Sequence, residues 1–344
     1  MSTETNTHPD DPVRSMLAGD RREFLKLTSS GVSALALSSL LNKGSAATVG
    51  EGQSRLHHEQ KAKSVILCYM SGGFSHVDSF DPKPKLKEMH GKPLPMTIER
   101  TQFDANGNIM ASPWEAKNWG KSGLEMTDMF PEIAARADDL AIVRSMTAKF
   151  SEHSQGNFFM HTGFPFLGYP SAGSWVTYGC GTENPNLPGY VVLRSNKASI
   201  PHGGVSIFGN AFLPATTQGS IFNITDKQAV PNINPAMLKA EQRRALDLIG
   251  TLDRRFSERT AAKDAVISSI RNAETAFLMQ QAVPELTDIS KESEATREMY
   301  GIDSRDANKA QYARQCLMAR RLVERGVRFV ELSCASYGIG AGGG

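Results

Sequence analysis

Val65-Ile66-Leu67-Cys68-Tyr69-Met70 is an unbroken apolar run of strand length, and it constrains the fold more than any other stretch. Six such residues in succession leave no polar face, so the run fits a strand buried on both sides, as in parallel sheets covered by helices. Tyr190-Val191-Val192-Leu193 and Leu140-Ala141-Ile142-Val143-Arg144 read as further strands. Asp128 to Arg136, with Asp128 as cap and Pro131 in the first turn, reads as a helix between two of them. Pro235 to Gln281 predicts two amphipathic helices, with Leu246, Ile249, Leu252 and Phe256 on the apolar face of one and Val266, Ile270 and Phe277 on the other. A third helix runs from Arg305 to Arg325, stops at Gly326 and leads into the strand Val327 to Leu332. This order predicts an α/β fold, a central and mostly parallel sheet with helices on both faces. Lys83 to Gly123 reads as a long excursion, and Gly203 to Ile224 as irregular or a hairpin.

With 344 residues the chain can bury a large core. Its 38 basic and 36 acidic residues leave a net charge of +2 and no basic stripe, which argues against nucleic acid as a partner. Cys68, Cys180, Cys316 and Cys334 include no CxxC pair, so a cysteine zinc knuckle and a thioredoxin-type motif are excluded. Cys68 and Cys334 sit in strand-like runs and could pair, although buried free thiols are the reading the residues favour. Gly338, Gly340 and Gly343 match GxGxxG, but no helix or acidic residue follows to make a dinucleotide site.

The N-terminus carries an address. Arg21 and Arg22 precede a mildly apolar stretch from Leu27 to Leu37, then Ser45-Ala46-Ala47. This resembles a twin-arginine export signal with cleavage after Ala47, Asp20 standing where Ser or Thr is usual. Ser and Gly within the apolar stretch make it a poor bilayer span, so no transmembrane anchor is expected. Residues 1–47 are therefore expected to be a signal peptide, 48–63 a linker and 64–344 the domain. The expected destination is periplasmic or secreted, and the translocation machinery is an implied partner.

Two loops carry chemistry. Ser71-Gly72-Gly73 leaves the first strand and leads to His76, Asp78 and Asp81, a nitrogen and two carboxylates suited to a divalent ion. Turn capping by the aspartates is the bland alternative. Ser151 to Gly163 is expected to enter a short helix near Ser154, whose N-terminus can attract phosphate or sulfate, with Ser151 or Ser154 as N-cap. The two loops are expected to meet at the carboxyl edge of the sheet, each following a strand.

The export signal, Ser71-Gly72-Gly73, the stretch His76-Val77-Asp78-Ser79-Phe80-Asp81-Pro82-Lys83-Pro84 and the stretch Pro170-Ser171-Ala172-Gly173-Ser174-Trp175-Val176 together resemble an exported bacterial family, domain of unknown function 1501. That resemblance implies a sulfatase-like fold of the alkaline phosphatase superfamily and a metal-dependent hydrolase ancestry. In that superfamily the nucleophile precedes a short helix ending in Thr-Gly, and counting back from Thr162-Gly163 lands on His153, with Ser154 next. A Ser, Thr or Cys is expected there. Either Ser154 takes the role, or His153 is a ligand or nucleophile, or the site has left that chemistry. That superfamily places a metal-binding aspartate at the end of its first strand, where this chain has Ser71-Gly72-Gly73 and Asp78 can replace it from further along the loop; the candidate metal ligands are Asp78, His76 and Asp81, and the candidate anion contacts are Asn157, Gly72 and Gly73. The family also carries a Trp-Asp-x-His stretch after its later strand, and this sequence stops at Gly344 before one appears, so the C-terminal part is expected to be missing. The expected function is an exported hydrolase of phosphate or sulfate esters, with a sulfated or phosphorylated glycan as substrate. The alternative is a non-catalytic periplasmic or surface protein that binds a glycan or protein.

Overall fold

The computed structural model describes residues 61–333 apart from 71–72, 97–106, 149, 151, 196–199, 225–227 and 261–262. Arg21, Arg22, Gly72, Cys334 and the terminal glycines lie outside the described residues.

Four strands, β1 (Val65–Tyr69), β4 (Tyr190–Arg194), β5 (Ser220–Asn223) and β6 (Phe329–Ser333), form one parallel sheet in the order β1-β6-β4-β5. The last strand among the described residues, β6, thus inserts between β1 and β4, pairing Leu67 with Glu331 and Glu331 with Val192. A separate antiparallel hairpin joins β2 (Ala116–Trp119) to β3 (Leu124–Thr127). The helices are α1 (Pro84–Glu88), α2 (Pro131–Ala134), α3 (His153–Thr162), α4 (Ala172–Cys180), α5 (Lys239–Ser257), α6 (Lys263–Thr287), α7 (Glu294–Tyr300) and α8 (Ala307–Glu324). No helix among the described residues is long and apolar enough to cross a membrane.

The period of two along each strand sorts the core into layers. Val191, Leu193, Val330 and Leu332 face α6 and α8, where they meet Met279, Val283, Leu286, Met318 and Leu322. Tyr190, Val192 and Phe329 face the other way, toward Phe158 of α3, Val176 of α4 and Phe208. The α/β architecture with a parallel sheet is therefore as expected, and so are β4, the helix pair α5 and α6, and the run from α8 through Gly326 (φ +86°) into β6. Gly326 adopts the left-handed backbone that favours glycine after a helix.

Five expectations need correction. Among the described residues β1 is an edge strand, and Val65 and Ile66 are 43% and 41% exposed rather than buried on both faces. Leu140 to Arg144 forms no strand: Leu140 joins a small core with Met126, Ala134 and Ala137, and Arg144 turns back to donate to the carbonyls of Phe80 and Glu125 at 3.0 and 2.7 Å. Helix α2 is one turn starting at Pro131, and Asp128 serves the hairpin instead, accepting from the Glu115 N–H at 3.1 Å and pairing with Lys117 at 3.2 Å. Part of the segment read as irregular is β5, paired in parallel with β4. On α5, Ile249, Leu252 and Phe256 face solvent, and Arg243 reaches α6 through two 2.6 Å bonds to Glu274.

Candidate functional site

Open α/β sheets take ligands beyond the carboxyl ends of their strands. Helix α3 is fastened against that edge by its own polar residues. Asn157 is buried; its Oδ1 accepts from the hydroxyl of Tyr69, the last residue of β1, and its Nδ2 donates to the His202 carbonyl at 2.8 Å. One turn later, His161 Nε2 lies 2.7 Å from Oε1 of Glu331, in the middle of β6. The Tyr190 hydroxyl donates to the other oxygen, Oε2, at 2.8 Å. Since Asn157 meets the end of a strand and His161 the middle of one, α3 runs inward from the edge. Its first residues, His153 and Ser154, therefore lie at the carboxyl edge. His153 stacks there on His202, ring centroids 5.1 Å apart and 18° from parallel.

Glu331 and His161 are buried, with side chains 1% and 2% exposed. Such charges persist only when paired and hydrogen-bonded. The proton positions follow from the partners. His161 Nδ1 lies 2.7 Å from the Asn157 carbonyl, which can only accept, so Nδ1 carries a proton. Burial alone would lower the His161 pKa, but the Glu331 hydrogen bond and charge, with the Asn157 carbonyl, outweigh it and the net direction is upward. Nε2 faces the carboxylate, which favours a second proton there. Burial and the charge of Glu331 push the Tyr69 hydroxyl up to about 12, and the Tyr190 hydroxyl also rises, through burial first and Glu331 second. Both phenols are proton donors here, not nucleophiles.

A raised histidine pKa fixes the sign of a pH effect. The unfolded value is near 6.5, so stability from His161 is fully present below it and is lost as pH rises through the higher folded value. Urea unfolding of wild type and His161→Gln across that range is expected to show the stability gap shrinking with increasing pH. A gap that widens would mean the ring is neutral in the folded protein.

The residues singled out from sequence fall into two groups. Gly73 holds a left-handed φ of +70° in a turn closed by its N–H on the Met70 carbonyl at 3.0 Å. The contacts of the His76, Asp78 and Asp81 loop run to the hairpin side. The Asp78 carbonyl accepts from Thr127 Oγ1 at 2.5 Å, and the His76 carbonyl accepts from the Asp81 N–H at 2.8 Å. The Asp81 carboxylate lies 2.7 Å from Lys83 Nζ and 3.7 Å from Arg144 Nε. Lys83, as hydrogen-bond donor and as charge, holds the Asp81 carboxyl below its ordinary pKa. Among the described residues no group of three or more His, Cys, Asp or Glu side chains is placed to hold a metal ion.

The second group is His153, Ser154 and Asn157 on α3. The N-cap is Glu152, not Ser151 or Ser154, and its carboxylate accepts from the N–H groups of Ser154 and Gln155 at 2.8 and 3.0 Å. Those backbone donors lower the Glu152 pKa. The end of α3 expected to draw an external anion is thus capped by the chain's own anion, and the Ser154 hydroxyl donates to the same carboxylate at 3.3 Å. Because Leu140 to Arg144 is not a strand, α3 reaches the edge through the Tyr69–Asn157 bond rather than by following a strand.

Sequence reasoning passed over Glu331, His202 and Tyr190. A signal for Glu331 was present: a carboxylate inside the strand Val327 to Leu332, in a sheet with helices on both faces, must have a partner.

Residues 62–337 match the family model described as Protein of unknown function (DUF1501). No curated protein and no solved structure matches the chain.

Proposed function

Because this chain belongs to the family of unknown function DUF1501, we propose from the site itself that it is an exported, sulfatase-like hydrolase of phosphate or sulfate esters, working at the carboxyl edge of its sheet. The observation that carries this reading is the meeting of Ser154, His153 and His202 at the N-terminal end of α3, held there by buried bonds. An ester anion that displaced the Glu152 carboxylate would gain the N–H groups of Ser154 and Gln155 and the positive end of the helix. It would then lie beside a hydroxyl and two imidazoles. Where Ser154 attacks phosphorus or sulfur, a neighbouring imidazole takes its hydroxyl proton and hands it to the ester oxygen as the bond to that oxygen breaks; where His153 attacks, its own ring proton passes to that oxygen by way of His202, and in either case water hydrolyses the covalent intermediate. The divalent ion that the family resemblance implies would need ligands beyond His76, Asp78 and Asp81. Export through Arg21 and Arg22 belongs to the same proposal.

The second reading, a non-catalytic binder, is favoured by the Glu152 cap, since the helix end is already satisfied. The test is turnover of 4-nitrophenyl phosphate and 4-nitrophenyl sulfate by protein recovered from the periplasm, with and without Mg²⁺, Mn²⁺, Ca²⁺ or Zn²⁺. Nitrophenol release that falls at least about 100-fold in His153→Ala or Ser154→Ala is the expected result. No turnover under any metal condition would favour the binder, and recovery only from the cytoplasm would sink the export route.

A further inference from the structure

At the opposite edge of the sheet, beneath the amino ends of β4 and β5, a groove of about 880 Å³ runs between α4 and α6. That volume is within the roughly 300–1,000 Å³ typical of sites for small molecules. Gly189 and Ser220, at the starts of the two strands, lie along it. Its polar lining is mostly neutral: Thr182, Thr216, Gln218 and Asn272 supply hydroxyls and amides, and Arg271 adds one guanidinium. Glu274 also borders it, but its carboxylate is bound to Arg243 by two 2.6 Å bonds.

One rim of the groove is aromatic. Tyr178 lines it and is 56% exposed, and it meets Trp175, 45% exposed, edge to face at 6.2 Å. Trp175 in turn meets Phe212, 65% exposed, at 5.9 Å. A single exposed aromatic residue needs no explanation, whereas three linked in a row through Trp175 beside a polar groove form a patch that calls for a ligand. The interplanar angles of 79° and 71° turn successive rings across one another.

We propose that this groove and its aromatic rim bind a glycan chain. A sugar ring offers a flat C–H face that packs on an aromatic ring, and a girdle of hydroxyls that both donate and accept. Hydroxyl and amide side chains beside exposed aromatic faces answer both demands, and Arg271 can take an acidic substituent on the chain. The groove is separate from His153 and His202, so glycan binding holds whether or not esters are cleaved at the other edge.

The test is titration calorimetry of the full chain against cellohexaose, xylohexaose, chitohexaose and a chondroitin sulfate hexasaccharide. At least one is expected to bind, with affinity falling about tenfold or more in Trp175→Ala and in Tyr178→Ala. Trp175→Phe is expected to retain most of the affinity, and Met299→Ala, an apolar residue 72% exposed on α7, all of it. Because Trp175 and Tyr178 are on the surface, circular dichroism should show these variants folded. Absence of binding to all four sugars, or binding that survives both alanine substitutions, overturns the proposal. So does a wild-type dimer on gel filtration that Trp175→Ala converts to a monomer without changing sugar affinity, since the patch would then be a contact between copies.

Discussion

Glu331→Ala is expected to lower the unfolding free energy by about 3–5 kcal/mol, the usual cost of removing one member of a buried ion pair. The carboxylate is 1% exposed and holds His161 and the Tyr190 hydroxyl at once. Its loss strands the His161 Nε2, takes from the Tyr190 hydroxyl the acceptor it donates to and leaves a void between Leu67 and Val192, its neighbours in the sheet. The His161 ring can lessen the damage only by giving up a proton. Unpaired in an apolar interior, it would have a lowered pKa, so this ring costs the variant further stability as pH falls and costs the wild type none. The cost in urea unfolding should therefore grow toward acid. Replacing all three polar groups at once, Glu331→Leu with His161→Leu and Tyr190→Phe, should recover much of the loss, because nothing is then left buried and unpaired. A cost below about 1 kcal/mol for Glu331→Ala would mean that water reaches the pair. If the wild type cleaves esters as proposed and a stable triple variant does not, the network's role is to position α3 for that reaction.

This network shows where sequence reading stops. The elements that were legible are those whose pattern is local: β4 as a short apolar run, α8 ended by Gly326, α5 and α6 by their helical period. What depends on neighbours was not. Val65 and Ile66 look like core residues, and only the sheet order makes them edge positions. Leu140 to Arg144 has the composition of a strand but finds no partner strand among the described residues. On α5 the period was read correctly but not which face meets α6. Asn157 was singled out for an external anion, yet both ends of its amide are used inside the protein, by Tyr69 and His202. His161 and Glu331 are 170 residues apart, and no local pattern links them.

Gly173→Val is expected to cost about 3 kcal/mol, and its cause explains one glycine of the family-like stretch Pro170 to Val176. Gly173 is helical and has no positive φ, so conformational freedom is not why it is glycine. Space is. A Cβ at Gly173 would lie 2.7 Å from three carbons of the Tyr190 ring, and one at Gly219 would lie 2.8 Å from one of the same three. The ring cannot retreat: Tyr190 is 1% exposed, its hydroxyl is bound to Glu331, and Phe329 stands edge-on to it at 5.3 Å. Glycine normally weakens a helix interior by about 1 kcal/mol relative to alanine, so replacing it should help α4 on propensity alone. Overpacking a fixed core acts the other way by about 1–3 kcal/mol, and valine adds two methyl groups to the conflict while giving less of that propensity gain than alanine would. The packing term therefore wins. A double-mutant cycle isolates it: in a Tyr190→Ala background the ring is gone, and Gly173→Val should cost at least about 1 kcal/mol less than in wild type. Equal costs in both backgrounds would mean the clash is relieved by movement of α4 rather than held by Tyr190. Gly173 would then have no part in fixing the tyrosine that anchors Glu331, and through Glu331 and His161 the placement of α3 at the carboxyl edge.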